Sequence, residues 1–365
     1  MTPLYLAFLV ALAIAALPAA GASAAPAQLF TFRDSQIAES SGIVASTRRD
    51  DIVFTHNDSG DTARFFAIDR HGCTIGVFTA PEVRATDWED MARGPGGSLW
   101  LGDIGDNNAE RGEIAVHRFA EPPVGASTDG SGCPPAPVQA LAPTSYRLRF
   151  EDGAHNAETL LVDPHTSQVF VITKSLTAGA LYAAPNPLRA DDVNVLRKIA
   201  DVGAPAFATG GDISPDGKRV AVRNYGEIDI RTIRNRDLAT AFAPGAPVQR
   251  LDAPDSGKQG EGLGFTRTGD GVLTSSEGVG APVFLIPLAC PRRAAVSIGL
   301  GAGGVRGVRA TVDGRAAKTT VRGTRATVAL SAAKRTSGKA IVRVTGRSRH
   351  GRRISVIRHV GICES

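Results

Sequence analysis

A short signature recurs five times along the chain: an acid or small polar residue, a small residue, and then an aliphatic that opens an apolar run. The aliphatic falls at Ile43, Met91, Leu160, Ile213 and Leu263, at spacings of 48, 69, 53 and 50 residues. The long interval contains 121–143, an insertion rich in Pro, Gly and Ser that carries Cys133. Without it the period is near 50 residues. Self-similarity at such a period marks an array of supersecondary units, each of which buries its apolar surface only against its neighbours. Within a repeat, about four short runs alternate with turn residues, as in SGIVAS, IVFTHND, RFFAID and TIGVFT of the first. The fourth contains Ser214, Pro215, Asp216 and Gly217, a strong turn between two runs.

The fifth repeat holds only three runs, ending at 283–286, and the alternating segment 28–36 near the N-terminus would supply the missing one. We therefore expect an all-β chain in which residues 28–290 form a five-bladed β-propeller closed by an N-terminal strand. Six blades is the alternative if the insertion hides further strands. Closure matters because an open ring would leave sheet edges exposed to aggregation. The 41 Gly, 22 Pro and 5% aromatic content agree with a turn-rich β protein.

Charge divides the chain a second way. Residues 291–365 carry 17 Lys and Arg against two acids, Asp313 and Glu364, whereas the preceding 290 residues carry 24 Lys and Arg against 34 acids. The basic segment reads as short strands with Arg at alternate positions, and Asp313-Gly314 marks a hairpin, so a small Ig-like β-sandwich is expected there. At the other end, residues 1–24 read as a signal peptide: an apolar stretch over 4–17 precedes the small triplet Ala22, Ser23 and Ala24, although no Lys or Arg leads it. Export makes disulfides permissible, and of the three pairings open to four cysteines we favour Cys73 with Cys133 and Cys290 with Cys363. A secreted or envelope-associated monomer is expected. Its basic segment would meet an anionic envelope polymer or lipid. The scarcity of aromatics there argues against nucleic acid.

In a propeller blade the start of the first strand and the end of the second meet at the central mouth, and the acids of this chain sit at those ends. First-strand starts supply Asp87, Glu89, Glu158 and Glu261. Second-strand ends supply His56, Asn57, Asp58, Asp103, Asp106, Asn107, Lys174, Arg223 and Glu277. The strongest copy, 86–111, holds both tryptophans and six acids around a Gly-Pro-Gly-Gly turn. Carboxylates packed this closely repel unless a cation, a proton or a basic side chain offsets them. Oxygen donors at Asp58, Asp87, Asp103, Asp106 and Asn107 suit Ca²⁺ or another divalent cation, although neither Asp-rich run matches the EF-hand loop. Glu89, Glu158 and Glu261, at equivalent positions, are the catalytic candidates, with His56, Asn57, Lys174 and Arg223 as ligand-binding residues. Such a mouth would bind a small ligand or cation and support metal-dependent hydrolysis of a phosphoester or ester. Two other readings stand beside it: a non-catalytic envelope adaptor, and a glycoside hydrolase using paired carboxylates. Alternatively, first-strand acids bond backbone amides of the neighbouring blade and hold the ring together. No nucleotide or redox cofactor is expected, since phosphate-cradling Gly loops and C-x-x-C pairs are absent.

The phrases ESSGIVAS, HNDSGD, DWEDMARGPGGSLWLGDIGDNNAER and QGEGLGF resemble those of secreted bacterial β-propellers in the phytase-like and esterase-like group, over residues 28–290. The resemblance implies Ca²⁺ and phosphate at the mouth, with Asp103, Asp106, Glu158, Glu261, Lys174 and Arg223 the candidates by blade position. The tail resembles Ig-like modules of bacterial surface proteins.

Overall fold

The computed structural model describes residues 26–177, 179–203, 205–254, 258–288, 293–297, 305–322, 325–329, 338–348 and 353–362. Among them the protein is all-β, with one short 3-10 helix at Leu238–Ala241. The segment 1–24, expected to be a leader, and the pair Cys290 and Cys363, expected to form a disulfide, lie outside the described residues.

Strand β1 (Ala27–Thr31) precedes five antiparallel units of four strands. The first comprises β2 (Ser40–Ala45), β3 (Ile52–Asn57), β4 (Arg64–Asp69) and β5 (Thr74–Thr79). The second is β6 (Trp88–Gly94), β7 (Ser98–Asp103) and β8 (Ile114–Ala120), followed after the insertion strand β9 (Val138–Ala140) by β10 (Thr144–Phe150). The third is β11 (Ala157–Val162), β12 (Val169–Thr173), β13 (Gly179–Ala183) and β14 (Val193–Val202). The fourth is β15 (Gly210–Ile213), β16 (Arg219–Arg223), β17 (Glu227–Thr232) and β18 (Val248–Asp252). The fifth is β19 (Gly260–Phe265), β20 (Gly271–Ser276) and β21 (Pro282–Pro287), and β1 adds to β21 antiparallel, Ala27 opposite Leu285. The last unit is thus built from both ends of this region. The insertion contributes no unit of its own: β9 pairs parallel with the outer edge of β5. A parallel pair, β10 with β14, joins the second and third units into one eight-stranded sheet.

The first strands β2, β6, β11, β15 and β19 pack each against the next, and β19 packs against β2, which closes a circuit. Five hydrophobic clusters fill the five junctions. Phe54 of the first unit meets Met91 and Leu101 of the second. Trp100 of the second meets Leu160 of the third, Leu161 meets Ile213, Ala221 meets Leu263, and Leu273 meets Ile43. Each sheet is therefore covered on both faces. This is why β2, β3, β6, β7, β11 and β19 are buried at every position instead of on alternate ones.

Two first-strand acids fasten the circuit. Asp90 is fully buried; its Oδ2 accepts from Leu160 N at 3.0 Å and Gly211 N at 3.2 Å, and its Oδ1 from Met91 N at 2.8 Å. It bonds to three first strands at once. Asp212 does the same further round, accepting from Phe265 N at 2.8 Å and from the Arg93 guanidinium at 3.1 Å. Away from the axis, the Cys73–Cys133 disulfide ties the insertion to the first unit across 60 residues of sequence. Closing a loop of that length contributes about 4 kcal/mol by chain entropy.

Beyond residue 292, β22 (Arg293–Ser297), β26 (Arg325–Ala329) and β25 (Thr319–Arg322) form one sheet. The strands β24 (Arg315–Ala317), β23 (Val305–Val312), β27 (Gly338–Ser348) and β28 (Arg353–Ile362) form a second. Ala326 and Val328 of the first pack on Ala310, Val342 and Val344 of the second in a small core.

The Asp90 geometry sets a stability expectation. Replacing Asp90 by Ala leaves the buried amides of Leu160 and Gly211 without an acceptor, a cost of about 1–3 kcal/mol for each orphaned group. Denaturant unfolding should show a loss of at least about 2 kcal/mol for Asp90→Ala and a much smaller one for Asp90→Asn, which keeps an acceptor oxygen. Equal losses in the two variants would contradict this role.

Candidate functional site

In each unit the last residue of the second strand lies opposite the first residue of the first strand: Asn57 with Ser40, Asp103 with Trp88, Thr173 with Ala157, Arg223 with Gly210, and Ser276 with Gly260. Four of the five pairings are followed at once by a shift in register. These irregularities fall between Ser40 and Ile43, Trp88 and Asp90, Ala157 and Thr159, and Gly260 and Leu263. Glu89 and Glu158 are the residues inside two of them, and Glu261 stands with Gly262 inside a third. A bulge re-aims a side chain that regular pleating would send into a sheet face. The three glutamates have therefore left the packed junctions, whereas Asp90 and Asp212, in regular register, stay inside them. The fourth unit has no shift and carries Gly211 in place of an acid at the equivalent position.

The carboxylates converge. Oxygens of Asp58, Asp87 and Glu89 lie within 4.8 Å of one another, and so do those of Asp58, Glu261 and Glu277. The two triads share Asp58, which stands one residue past β3. Glu158 adjoins them and is held by Lys174, whose Nζ donates to its Oε1 at 2.5 Å. Nζ also donates to the Tyr225 hydroxyl at 3.1 Å and lies 5.4 Å from the centre of that ring. Glu158 Oε2 and Glu261 Oε2 are buried with no hydrogen-bond partner. Apart from the Glu158–Lys174 contact, none of the six carboxylates takes part in an ion pair among the described residues. Gly105 makes room for the arrangement: a Cβ there would collide with Glu89 Oε1 and Asp87 Oδ2.

The electrostatics follow from burial and crowding. Burial, reinforced by Asp58, Glu158 and Glu277, pushes Glu261 up to about 8. Burial, with Asp87, Glu158 and Glu277, pushes Asp58 up to about 6. Glu89 is driven well above the carboxylate range by burial and then by Asp58, Glu158, Asp87 and Glu261. Asp87 rises through burial despite the opposing charge of Arg111, and Glu158 rises through burial despite Lys174. Burial works against the Lys174 charge, but Glu158 outweighs it and holds the ammonium above its ordinary range. Six acids facing one engaged lysine demand protons or a cation, and hard oxygen donors without His or Cys suit Ca²⁺ or Mg²⁺.

The remaining candidates are placed around this cluster and not in it. Asp103 accepts from Thr86 N, Asp87 N and the Arg111 guanidinium, and so positions the backbone of Asp87. Asp106 accepts from Glu110 N and Arg111 N within its own turn, and Asn107 accepts from the Asn156 amide. Asn57 is spent on the strap before β2, accepting from Ala38 N and Glu39 N. His56 is fully buried against Trp88, with Nδ1 bonded to Asn57 O at 2.8 Å, and burial pushes it down to about 4. Arg223, also buried, donates to the carbonyls of Gly262, Ser275 and Asn224 and pins the bulge that carries Glu261. Tyr225 was not anticipated; its only trace in the sequence is an aromatic in the tight turn after Arg223. A cavity of about 600 Å³ lined by Arg33, Gln36, Arg64 and Pro134 lies beside the first unit and includes no member of the cluster.

In comparisons with known proteins, no family model matches the chain and no curated sequence matches it.

The raised carboxyls predict a pH dependence for the chelator-treated protein. Glu261 and Asp58 bind protons more tightly folded than unfolded, against ordinary values of 4.5 and 3.8, so their contribution is complete at low pH and lost as pH rises through about 6 and about 8. His56 and His117, both lowered from 6.5 to about 4, act in the opposite sense, and their effect fades as pH rises above 6.5. Between pH 7 and 8 the acids dominate, and thermal melts should show a loss on the order of 1 kcal/mol, a few degrees in Tm. A flat or rising Tm over that window would contradict the crowded-carboxylate picture.

Proposed function

We propose that residues 28–290 are a five-bladed β-propeller, exported from the cytoplasm, whose acidic mouth binds a divalent cation, with Ca²⁺ the best fit. The observation that carries this reading is the pair of carboxylate triads sharing Asp58 beside two buried, unpartnered glutamate oxygens. Support for the propeller comes from the closed circuit of first strands and from the shared last unit. The leader-like N-terminus and the Cys73–Cys133 disulfide support export. Kinship with phytase-like and esterase-like propellers, and an Ig-like identity for the tail, rest on the phrases quoted above.

Asp58, Asp87, Glu89, Glu261 and Glu277 would hold the cation. When bound, it would polarise a phosphoryl or carbonyl oxygen and acidify a water, the chemistry of metal-dependent phosphoester or ester hydrolysis. Glu158, kept in place by Lys174, is positioned to exchange a proton at the edge of the cluster. Tyr225, 39% exposed, offers a ligand an apolar ring and a hydroxyl at the rim. A second reading has one specific observation in its favour. Asp58 and Glu261 oxygens lie within 4.8 Å with both carboxyls raised, close to the roughly 5 Å separation of retaining glycosidases. That reading predicts activity without metal.

Calorimetric titration of chelator-treated protein with CaCl₂ should show saturable binding. Glu261→Gln and Asp58→Asn should each weaken it at least about tenfold by removing a charged donor. Asn107→Ala, an exposed residue outside the cluster, should leave it unchanged. Absence of binding, or equal loss in Asn107→Ala, would overturn the assignment. Turnover of p-nitrophenyl phosphate or acetate should require the cation. Cleavage of aryl glycosides in chelator would favour the paired-carboxylate reading instead.

A further inference from the structure

The strands after residue 292 carry a second chemical surface that the mouth does not use. In the sheet β24-β23-β27-β28, Ala310, Val342 and Val344 turn inward to the small core. Their sequence neighbours turn outward, and residues directly opposite on adjacent strands share a face. Arg306 lies opposite Arg347, and Arg347 opposite Arg353. Arg309 lies opposite Thr345 one row on, and Arg343 opposite Ile357 in the next. All five arginines are exposed, on strands about 4.8 Å apart. Asp313, the only described acid of these sheets, stands in the turn after β23. Two large apolar side chains share the cationic face, Ile341 at 41% exposure and Ile357 at 42%.

We propose that this face docks on an anionic phospholipid bilayer. Guanidinium groups pair with phosphate oxygens in a bidentate way. Each cation held near an anionic membrane surface contributes about 1 kcal/mol, so five on one plane give useful adsorption where one or two would not. The isoleucines decide between a bilayer and a soluble polyanion. A bilayer offers apolar depth just beneath its phosphates, and a hydrated polymer offers none. Single-stranded nucleic acid would call for stacking platforms, and residues 291–365 contain no Phe, Tyr or Trp.

The test is co-sedimentation of the full chain with phosphatidylglycerol/phosphatidylcholine vesicles, with phosphatidylcholine vesicles and soluble polyphosphate as comparisons. The protein should bind the anionic vesicles, ignore the neutral ones, and lose at least about tenfold in affinity when NaCl is raised from about 0.05 to 0.5 M. The pair Arg309→Glu/Arg343→Glu should abolish binding, and Arg309→Lys/Arg343→Lys, which keeps the charge, should retain most of it. The pair Ile341→Ser/Ile357→Ser should weaken vesicle binding several-fold and leave polyphosphate binding unchanged. No adsorption to anionic vesicles, salt-independent adsorption, or undiminished binding by a folded Glu pair would overturn the proposal. So would tighter binding to polyphosphate with no effect of the serine pair on vesicles.

Discussion

Coverage of both faces of every sheet by its neighbours is the constraint on which the described residues between 26 and 288 depend. No unit has a core of its own: Met91 and Leu101 find theirs against Phe54, and Trp100 against Leu160. Apolar burial between units is satisfied at all five junctions only when the first strands close on one another, and β1 completes the last unit with β21. Closure then fixes the electrostatics. Five equivalent strand ends meet in a small space, so whatever charge the repeat places there is multiplied. Where an acid stays in register, as Asp90 and Asp212 do, it becomes a hydrogen-bonding centre for neighbouring strands. A bulge instead delivers the acid to the common mouth, as with Glu89, Glu158 and Glu261.

The repeat was legible because burial on both faces imposes apolar runs at a fixed period, and turn residues punctuate them. Ile43, Met91, Leu160, Ile213 and Leu263 mark it without reference to coordinates. The convergence of Asp58 with the first-strand glutamates was legible for the same reason, since it follows from antiparallel order. What sequence could not separate was an acid that staples from an acid that is free to bind. Asp90 and Glu89 are adjacent, and only the register shift between Trp88 and Asp90 sends them to different environments. The run from Asp103 to Asn107 looked like a metal loop because turn-forming Asp and Asn use the same oxygens that bind cations. In the structure those oxygens accept from Glu110 N, Arg111 N and the Asn156 amide. His56 was drawn toward the mouth by its neighbours in sequence, yet strand alternation sends it inward against Trp88.

Charge is divided between the two parts of the chain by physical need as well as by composition. The mouth concentrates carboxylates where burial makes ionisation costly, so a divalent ion would be bound with a strong driving force. The tail spreads its cations over an exposed sheet where water screens them individually and a flat, anionic partner would engage them together. On the two proposals above, the first surface would select a small cation and the second an extended anionic partner.

The most direct measurement of the central claim, that the two carboxylate triads sharing Asp58 build one cation site, is terbium luminescence. Tb³⁺ occupies Ca²⁺-type oxygen sites, and it can be sensitised by Trp88, which stands between Asp87 and Glu89 in sequence, and by Tyr225, whose hydroxyl accepts from the Lys174 that holds Glu158. Titration of chelator-treated protein should produce sensitised emission that Ca²⁺ displaces, and Asp58→Asn/Glu261→Gln should lose that emission while remaining folded. No sensitised emission, or the same emission from the folded double variant, would contradict the account.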